Sequence, residues 1–137
     1  MYAQHKKNGF HLIEILIVLA LTSIMSQWVL RSYTTIIAKE RRREAEHALF
    51  SLASALEDYA IKHESYAGAT LHQLKFPSHV ASDNYELVIN FARENEYLIS
   101  AHPLARQAEI DTRCGILLLT STGEKNMSGA GSPRECW

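Results

Sequence analysis

A continuous apolar run covers Phe10–Leu30, near the start of the chain. Its 21 residues would extend roughly 30 Å as an α-helix, which is the hydrocarbon thickness of a bilayer. An ordinary secretory signal is shorter and ends in a small-residue cleavage site, whereas the break here, Gly9, precedes the run. The run contains one carboxylate, Glu14. The pattern predicts a membrane-spanning helix in which Glu14 either has a cationic partner or reaches the headgroups.

Helical periodicity continues beyond the apolar run. Neither proline nor glycine occurs from Phe10 through Ala67, so no residue forces the helix to end. Small and apolar residues recur at steps of three and four, which places them on one helix face; they are Ala45, Ala48, Leu49, Leu52, Ala55, Leu56 and Tyr59. We expect one helix from Phe10 to about His63. Phe50 and Ile36 lie off this face, either as single exposed hydrophobes or as contacts between subunits.

The period changes from helical to strand-like in the second half of the chain. Residues 65–84 read as a loop with one short helical turn at Thr70–Leu74. Tyr85–Phe91 and Tyr97–His102 are typical of an antiparallel hairpin, and Gly115–Thr120 gives a third strand followed by a turn. The strands need cover on one face, which the apolar face of the helix supplies. We expect an α+β fold in which the helix lies across three or four antiparallel strands.

Two cysteines, Cys114 and Cys136, bracket 21 residues. A single pair in a small exported domain favours a disulfide, which would stabilise the domain by roughly 3 kcal/mol in the chain-entropy model. A metal site that adds His79 or His102 lacks the close ligand spacing of known sites. We expect no metal ion and no other cofactor.

The charge balance gives little support for a nucleic-acid-binding protein. The formal net charge is −1. Four basic residues fall within Lys39–Arg43, but Glu40, Glu44 and Glu46 stand three or four positions from a basic residue on the same helix. No aromatic residue is interleaved with these bases, as stacking on single strands would need. We therefore interpret the segment as a solvated helix face and do not expect direct contact with nucleic acid.

The start of the chain resembles the class III leader of type IV pilins and of type II secretion pseudopilins. The resemblance rests on a short basic leader ending in Gly9, then Phe10, then Glu14 at the fifth position after the glycine, then the apolar helix. It implies cleavage between Gly9 and Phe10 by prepilin peptidase and N-methylation of Phe10. Glu14 would pair with the Phe10 amino group of a neighbouring subunit. His11 and Arg31 depart from the threonine and the helix-kinking proline that are frequent in this family.

The end of the chain narrows the resemblance. An Asp-x-x-Cys-Gly segment at Asp111, a leucine-rich strand, a glycine-bearing turn and a terminal Glu-Cys-Trp are similar to PilE-type minor pilins of type IVa pilus systems. The resemblance implies the type IV pilin fold and an exposed D-region between the cysteines, in the loop 114–136. The domains expected are a removed leader (1–9), a transmembrane and assembly helix (10–30), an amphipathic helix (31–63) and a globular head (64–137).

The resemblance implies a minor pilin subunit that takes part in pilus assembly or initiation and supports adhesion, twitching motility or DNA uptake. Its expected partners are other pilin subunits, prepilin peptidase and the inner-membrane assembly machinery. It would span the inner membrane once, with a periplasmic head, before reaching the extracellular pilus. Basic residues on both sides of the apolar run leave this orientation to the resemblance.

Two alternatives stay open at this point. A type II secretion pseudopilin would share the leader, although the scattered carboxylates of the last third do not suggest the calcium site expected there. A membrane-anchored receptor or enzyme is the third possibility. No phosphate-binding loop, acid–base pair or nucleophile elbow is present to support it, so we do not expect an enzyme.

Overall fold

The computed structural model describes residues 11–137, apart from the side chains of Trp28, Leu30 and Arg31. The predicted cleavage site, Gly9 and Phe10, lies outside these residues. Contacts divide the chain into two compact units, Met1–Thr34 and Thr35–Trp137. The domain boundaries after residues 9, 30 and 63 stay predictions.

The described part of the first unit is helical and belongs to α1 (Leu12–His63). Its apolar side chains are exposed, and Leu12, for example, is 77% accessible. The hydroxyls within it bond to carbonyls one turn earlier, as in the 2.9 Å bond that Thr22 Oγ1 donates to Val18 O, so they need no water. Among the described residues, α1 is the one helix whose length and composition would allow it to cross a membrane.

The second unit is built on the second half of α1. The predicted apolar face is buried there: Ala45, Leu49, Leu52 and Leu56 have no accessible surface. They pack with residues of alternate strand positions in one hydrophobic cluster, among them Leu87, Ile99, Ala101, Leu117 and Leu119. The helix ends at His63, as the sequence predicts. The helix-on-sheet architecture that the periodicity predicts is therefore confirmed.

The sheet has five antiparallel strands in the order β1-β2-β3-β4-β5. They are β1 (His79–Val80), β2 (Tyr85–Ala92), β3 (Tyr97–Pro103), β4 (Leu117–Thr120) and β5 (Lys125–Met127). The β2–β3 hairpin and β4 match the predicted strands. The count exceeds the expected three or four because the edge strands β1 and β5, of two and three residues, are too short to show a period.

Two short helices were not predicted: α2 (Ala105–Ile110) and α3 (Pro133–Cys136). Helix α3 does carry a start signal, because proline occupies its first turn and the Ser132 backbone N–H donates to Glu135 Oε2 at 3.4 Å. Helix α2 has no side-chain cap bond and gives no such signal. Helix α3 lies in the D-region, which the sequence had assigned to a loop, and α2 lies in a segment to which no element had been assigned.

The segment after α1 is attached to the helix through tyrosines. Tyr66 donates a 2.8 Å hydrogen bond to Glu57 Oε2, and its ring meets the Tyr97 ring edge to face, with centroids 5.0 Å apart. Burial, together with the charge of Glu57, raises the pKa of Tyr97 to about 12. Leu74 N donates to Thr70 O at 3.0 Å, so the helical turn expected at Thr70–Leu74 is present.

Candidate functional site

Glu14 lies in the first turn of α1, where the exposed amides and the helix dipole favour an anion. Its backbone N–H donates to His11 O at 2.9 Å. Among the described residues Glu14 forms no ion pair. Ile13 and Ile15 on either side of it are exposed, so the carboxylate stands in apolar surroundings. A cationic partner of Glu14 is thus not found among residues 11–137, and Phe10, the partner that the leader resemblance implies, lies outside them.

A buried polar network joins α1 to α2 and to β2. Arg42 Nη1 donates to Asp111 Oδ1 at 2.5 Å, and the two side chains are 9% and 6% exposed. Tyr85 donates to the other Asp111 oxygen at 3.0 Å. Gln107 Nε2 donates to Ala38 O at 3.0 Å. Because each bond joins residues of different elements, the network fixes α1 against the rest of the second unit.

Burial raises the pKa of Tyr85, and the neighbouring Asp111 charge acts in the same direction. The Tyr85 hydroxyl therefore stays protonated and donates to Asp111 at all physiological pH values. The Arg42 charge has Asp111 as its ion-pair partner. The network contains no free nucleophile, and its geometry is that of a structural ion pair.

The D-region is a folded substructure held by more than its disulfide. Cys114 and Cys136 are joined, with Cα atoms 5.5 Å apart. Gly129 N donates to Cys114 O at 3.0 Å, and Gly131 N donates to Arg113 O at 2.7 Å. These bonds place the glycine-rich stretch against the backbone before β4. A Cβ at Gly129 would collide with the Arg113 carbonyl, which explains a glycine at this position.

An aromatic and cationic cluster attaches the far end of the D-region to α1. The rings of Phe50 and Trp137 meet edge to face, with centroids 6.0 Å apart. Lys125 Nζ lies 5.0 Å from the Phe50 ring centre and 5.5 Å from the Trp137 ring centre. Trp137 Nε1 also donates to Asn126 O at 2.9 Å, which covers the edge strand β5. Phe50 is 43% exposed in spite of these contacts, so its role as a contact between subunits stays a prediction.

These contacts lie along one flank of α1, which we call the seam. On the helix the seam comprises Thr35, Lys39, Arg42, Glu46 and Phe50, spaced by four, three, four and four positions. On the facing side it comprises Lys125 and Glu135 of the D-region and Arg113 and Trp137, which flank it.

Glu46 lies in the middle of the seam. Its pKa is raised because burial disfavours the charged carboxylate, although Arg42 and Lys125 oppose the shift. A cleft of about 400 Å³ lies at the end of the seam that contains Thr35, Lys39 and Arg42.

Ser100 and His102 form a serine–histidine pair, as catalytic sites do, on the face of the sheet away from α1. Ser100 Oγ lies 2.9 Å from His102 Nε2 and 2.7 Å from Asn90 Oδ1. However, Ser100 has no accessible surface, so a substrate would not reach its hydroxyl. The three residues form a hydrogen-bonded row that accommodates the β-bulge at Asn90.

The predicted site residues thus fall into two groups. The two cysteines of the second unit are joined, and Glu14 belongs to the first unit. The sequence interpretation missed the Arg42–Asp111 pair and the contact of Phe50 with Trp137. Both join residues more than 60 positions apart, and periodicity carries no information at that distance. Phe50, an apolar residue off the buried helix face, was the one feature of the sequence that could have indicated such a contact.

Comparison with known proteins identifies the family. A profile of the family described as "Type IV minor pilin ComP, DNA uptake sequence receptor" matches residues 32–118, which is more than half of the chain. The chain belongs to this family. It is therefore a type IV minor pilin, as the leader and tail motifs implied. The matched segment ends inside β4, so most of the D-region lies beyond it.

The crystal structure of the non-core minor pilin PilV from Neisseria meningitidis shares the fold. The two chains align with a TM-score of 0.54 at 16% identity, over 69% of this chain and 90% of PilV. At this identity the likeness concerns the fold alone, which is the type IV pilin fold. No individually curated protein matches the sequence.

Membership of the minor pilin family has three further consequences. Proteins of this family associate with other pilin subunits in a pilus. The family and its fold are structural and not enzymatic. The long apolar helix at the start of the chain fits a membrane-anchored pilin that extends into a pilus.

Proposed function

We propose that this minor pilin serves DNA uptake and contacts DNA itself. The observation that supports the proposal is the family profile, whose description is that of a DNA uptake sequence receptor and which covers residues 32–118. The proposal departs from the expectation, based on charge alone, that direct contact with nucleic acid does not occur. Family membership also favours the pilus over a type II secretion apparatus.

The basic run at Lys39–Arg43 is not where we place this contact. Arg42 is buried against Asp111, and Glu40 and Glu44 remain beside the other basic residues. A polyanion would therefore meet alternating charges along this helix and not a continuous basic surface. The interpretation of this segment as a solvated helix face is therefore wrong for Arg42, whereas Lys39, Glu40, Arg43 and Glu44 are exposed as it predicts. The proposed DNA contact belongs to other parts of the head.

The binding part of the proposal can be tested with the processed full-length chain in detergent micelles. Fluorescence anisotropy would measure its affinity for labelled duplexes cut from the genome of the producing organism and for shuffled duplexes of equal length. We expect tighter binding of some genomic duplexes, with an affinity that falls as salt rises in proportion to the phosphates contacted. Absence of binding at about 50 mM salt, where phosphate contacts are strongest, would refute direct contact.

A cellular measurement tests the uptake part separately. A strain that lacks the chain should lose natural transformation while it keeps normal numbers of pili, and a plasmid copy should restore it. Unchanged transformation frequency in a piliated deletion strain would refute a role in uptake. Twitching and adhesion should be measured in the same strains, because the leader and tail resemblance is compatible with both.

We also propose the maturation and assembly route that the leader motif suggests. Prepilin peptidase would cut between Gly9 and Phe10, the new Phe10 amine would be N-methylated, and the chain would span the inner membrane once with its head in the periplasm. Glu14 would pair with the Phe10 amine of a neighbouring subunit during assembly. Glu14 supports this part because, among the described residues, it has no ion-pair partner of its own.

Intact mass and amino-terminal sequencing test this route. Pili sheared from native cells should contain a chain that begins at N-methylated Phe10 and is lighter by the two hydrogens lost in the disulfide. The same processed chain confined to membranes would contradict incorporation into the filament. An unprocessed chain would contradict the cleavage site, and Gly9→Lys provides the matched control that peptidase should not cut.

A further inference from the structure

The cleft at the Thr35 end of the seam has a lining suited to a protein partner. Its volume is about 400 Å³, and it lies entirely within the second unit. Four residues of α1 form one wall, and residues within 110–114 together with Glu135 form the other. The lining residues are Thr35, Ala38, Lys39, Arg42, Ile110, Asp111, Arg113, Cys114 and Glu135.

The charges in this lining do not cancel. Arg42 is paired with Asp111, and Arg113 Nη2 lies 3.1 Å from Glu135 Oε2. Lys39 is the third cation of the lining, and among the described residues it forms no ion pair. Three cations and two carboxylates leave the cleft with one positive charge in excess, located at Lys39.

We propose that this cleft binds a carboxylate-bearing segment of a neighbouring pilin subunit, with Lys39 as the cation that the incoming carboxylate meets. The proposal rests on the incorporation of the chain into a pilus. It concerns a head surface and is separate from the pairing of Glu14.

Two observations favour a pilin subunit over DNA at this cleft. Asp111 and Glu135 are neutralised by Arg42 and Arg113, so one excess positive charge remains in the cleft; it matches a single carboxylate, whereas a DNA backbone would bring a row of phosphates to one unpaired cation. Ile36, one turn before Lys39, is 63% exposed and offers apolar surface beside the cleft. A charged contact next to apolar surface is the usual composition of the edge of a protein–protein interface.

Charge reversal with a matched control tests the proposal. Lys39→Glu should lower the ratio of chain in sheared pili to chain in the inner membrane about fivefold, because one accessible charge pair contributes a factor of roughly two to five and reversal adds repulsion. Lys39→Arg should restore the wild-type ratio. Lys62→Glu changes the same residue type on the same helix outside the seam, and it should leave the ratio unchanged. Near-UV circular dichroism of each purified variant would show that the head is folded.

Photo-crosslinking identifies the partner. A benzoylphenylalanine at position 36, beside the cleft, leaves Lys39 in place; introduced in native cells and activated in purified pili, it should crosslink to a pilin peptide that contains aspartate or glutamate. The same probe at position 62 serves as the control. A crosslink to DNA, or none to a pilin, would overturn the inference.

The outcomes separate this inference from the proposed function. If wild-type chain is absent from sheared pili, incorporation fails and the cleft proposal fails with it. If wild-type chain is present and Lys39→Glu is present at the same level, only the cleft proposal is overturned. Transformation frequency does not enter this test, so the DNA-uptake proposal stands or falls on its own measurements.

Discussion

Replacing Asp111 by alanine should unfold the head at a much lower temperature. The substitution leaves the Arg42 guanidinium, 9% exposed, without its ion-pair partner. It also removes the acceptor of the Tyr85 hydroxyl and one acceptor of the Gln107 amide. Tyr85 and Gln107 have no accessible surface, so water does not reach these donors in the folded state. Three donors from α1, β2 and α2 therefore lose a partner at once.

The expected magnitude follows from the burial of the pair. Removing one partner of a buried ion pair costs roughly 3 to 5 kcal/mol, chiefly because the other charge stays buried and uncompensated. A domain of about this size loses roughly 4 °C of melting temperature for each kcal/mol, so we expect a fall of roughly 12 °C or more. This is a large share of the stability of a small domain, which is typically about 5 to 15 kcal/mol in total.

The assay is thermal unfolding of the full-length chain in detergent micelles, followed by near-UV circular dichroism. This signal reports packed tyrosines such as Tyr85 and Tyr97, and it is insensitive to helix that persists in the micelle. Asp111→Asn tests the charge at nearly constant volume and should also destabilise. Arg42→Met with Asp111→Leu removes both charges together, and it should recover most of the loss because no unpaired charge remains.

The pattern across these variants decides the interpretation. If Asp111→Ala melts within about 3 °C of wild type, the pair contributes less than about 1 kcal/mol and the burial reasoning is wrong. If the double variant is as unstable as Asp111→Ala, the loss comes from packing and hydrogen bonds and not from an unpaired Arg42 charge.

Three further predictions concern other parts of the chain. Cys136→Ala should cost about 3 kcal/mol of head stability, and an equal melting temperature of wild type with and without reductant would contradict a stabilising disulfide. Burial raises the pKa of Glu46, so protonated Glu46 contributes to the stability of the head at acid pH. This contribution is lost as the pH rises above the ordinary glutamate pKa of 4.5. Glu46→Gln should thus melt higher than wild type at neutral pH and equally near about pH 3.5, and a pH-independent difference would refute this linkage. Glu14→Ala should lower the amount of chain in sheared pili while the head melts normally, whereas a destabilised head would argue against an intermolecular role.

Much of the fold could be predicted from the sequence because its main elements are long and regular. The apolar face from Ala45 to Tyr59 repeats often enough to fix both the helix and the side that it buries. Strands β2 and β3 are eight and seven residues long and rich in aromatic and branched apolar residues, which is enough for a strand to be recognised. The edge strands and α2 span two to six residues and were missed, since so short a segment is decided by its neighbours and not by its own pattern.

The contacts of the candidate site were harder to predict from the sequence, and the segment Lys39–Glu46 shows why. In the sequence, Lys39–Glu46 is a run of mixed charges in which each glutamate has a basic residue three or four positions away. In the fold, these similar residues have different surroundings. Arg42 is buried against Asp111, a residue 69 positions away, and Lys39 lines the cleft. Local pairing rules assume that each charge stays on a solvated helix.

Those rules fail where the segment 110–137, which contains the D-region, covers one flank of α1, because this cover removes water from some charges and not from others. The segment therefore determines which charges of α1 are buried and paired, and α1 in turn holds the segment in place. Arg42 and Phe50 are each contacted from the other side of the seam, by Asp111 and Trp137 respectively. A change in this segment should accordingly alter the electrostatics of the helix flank without any change in the helix sequence. Minor pilins that share similar helices but differ after α2 would then differ in the partners that they accept.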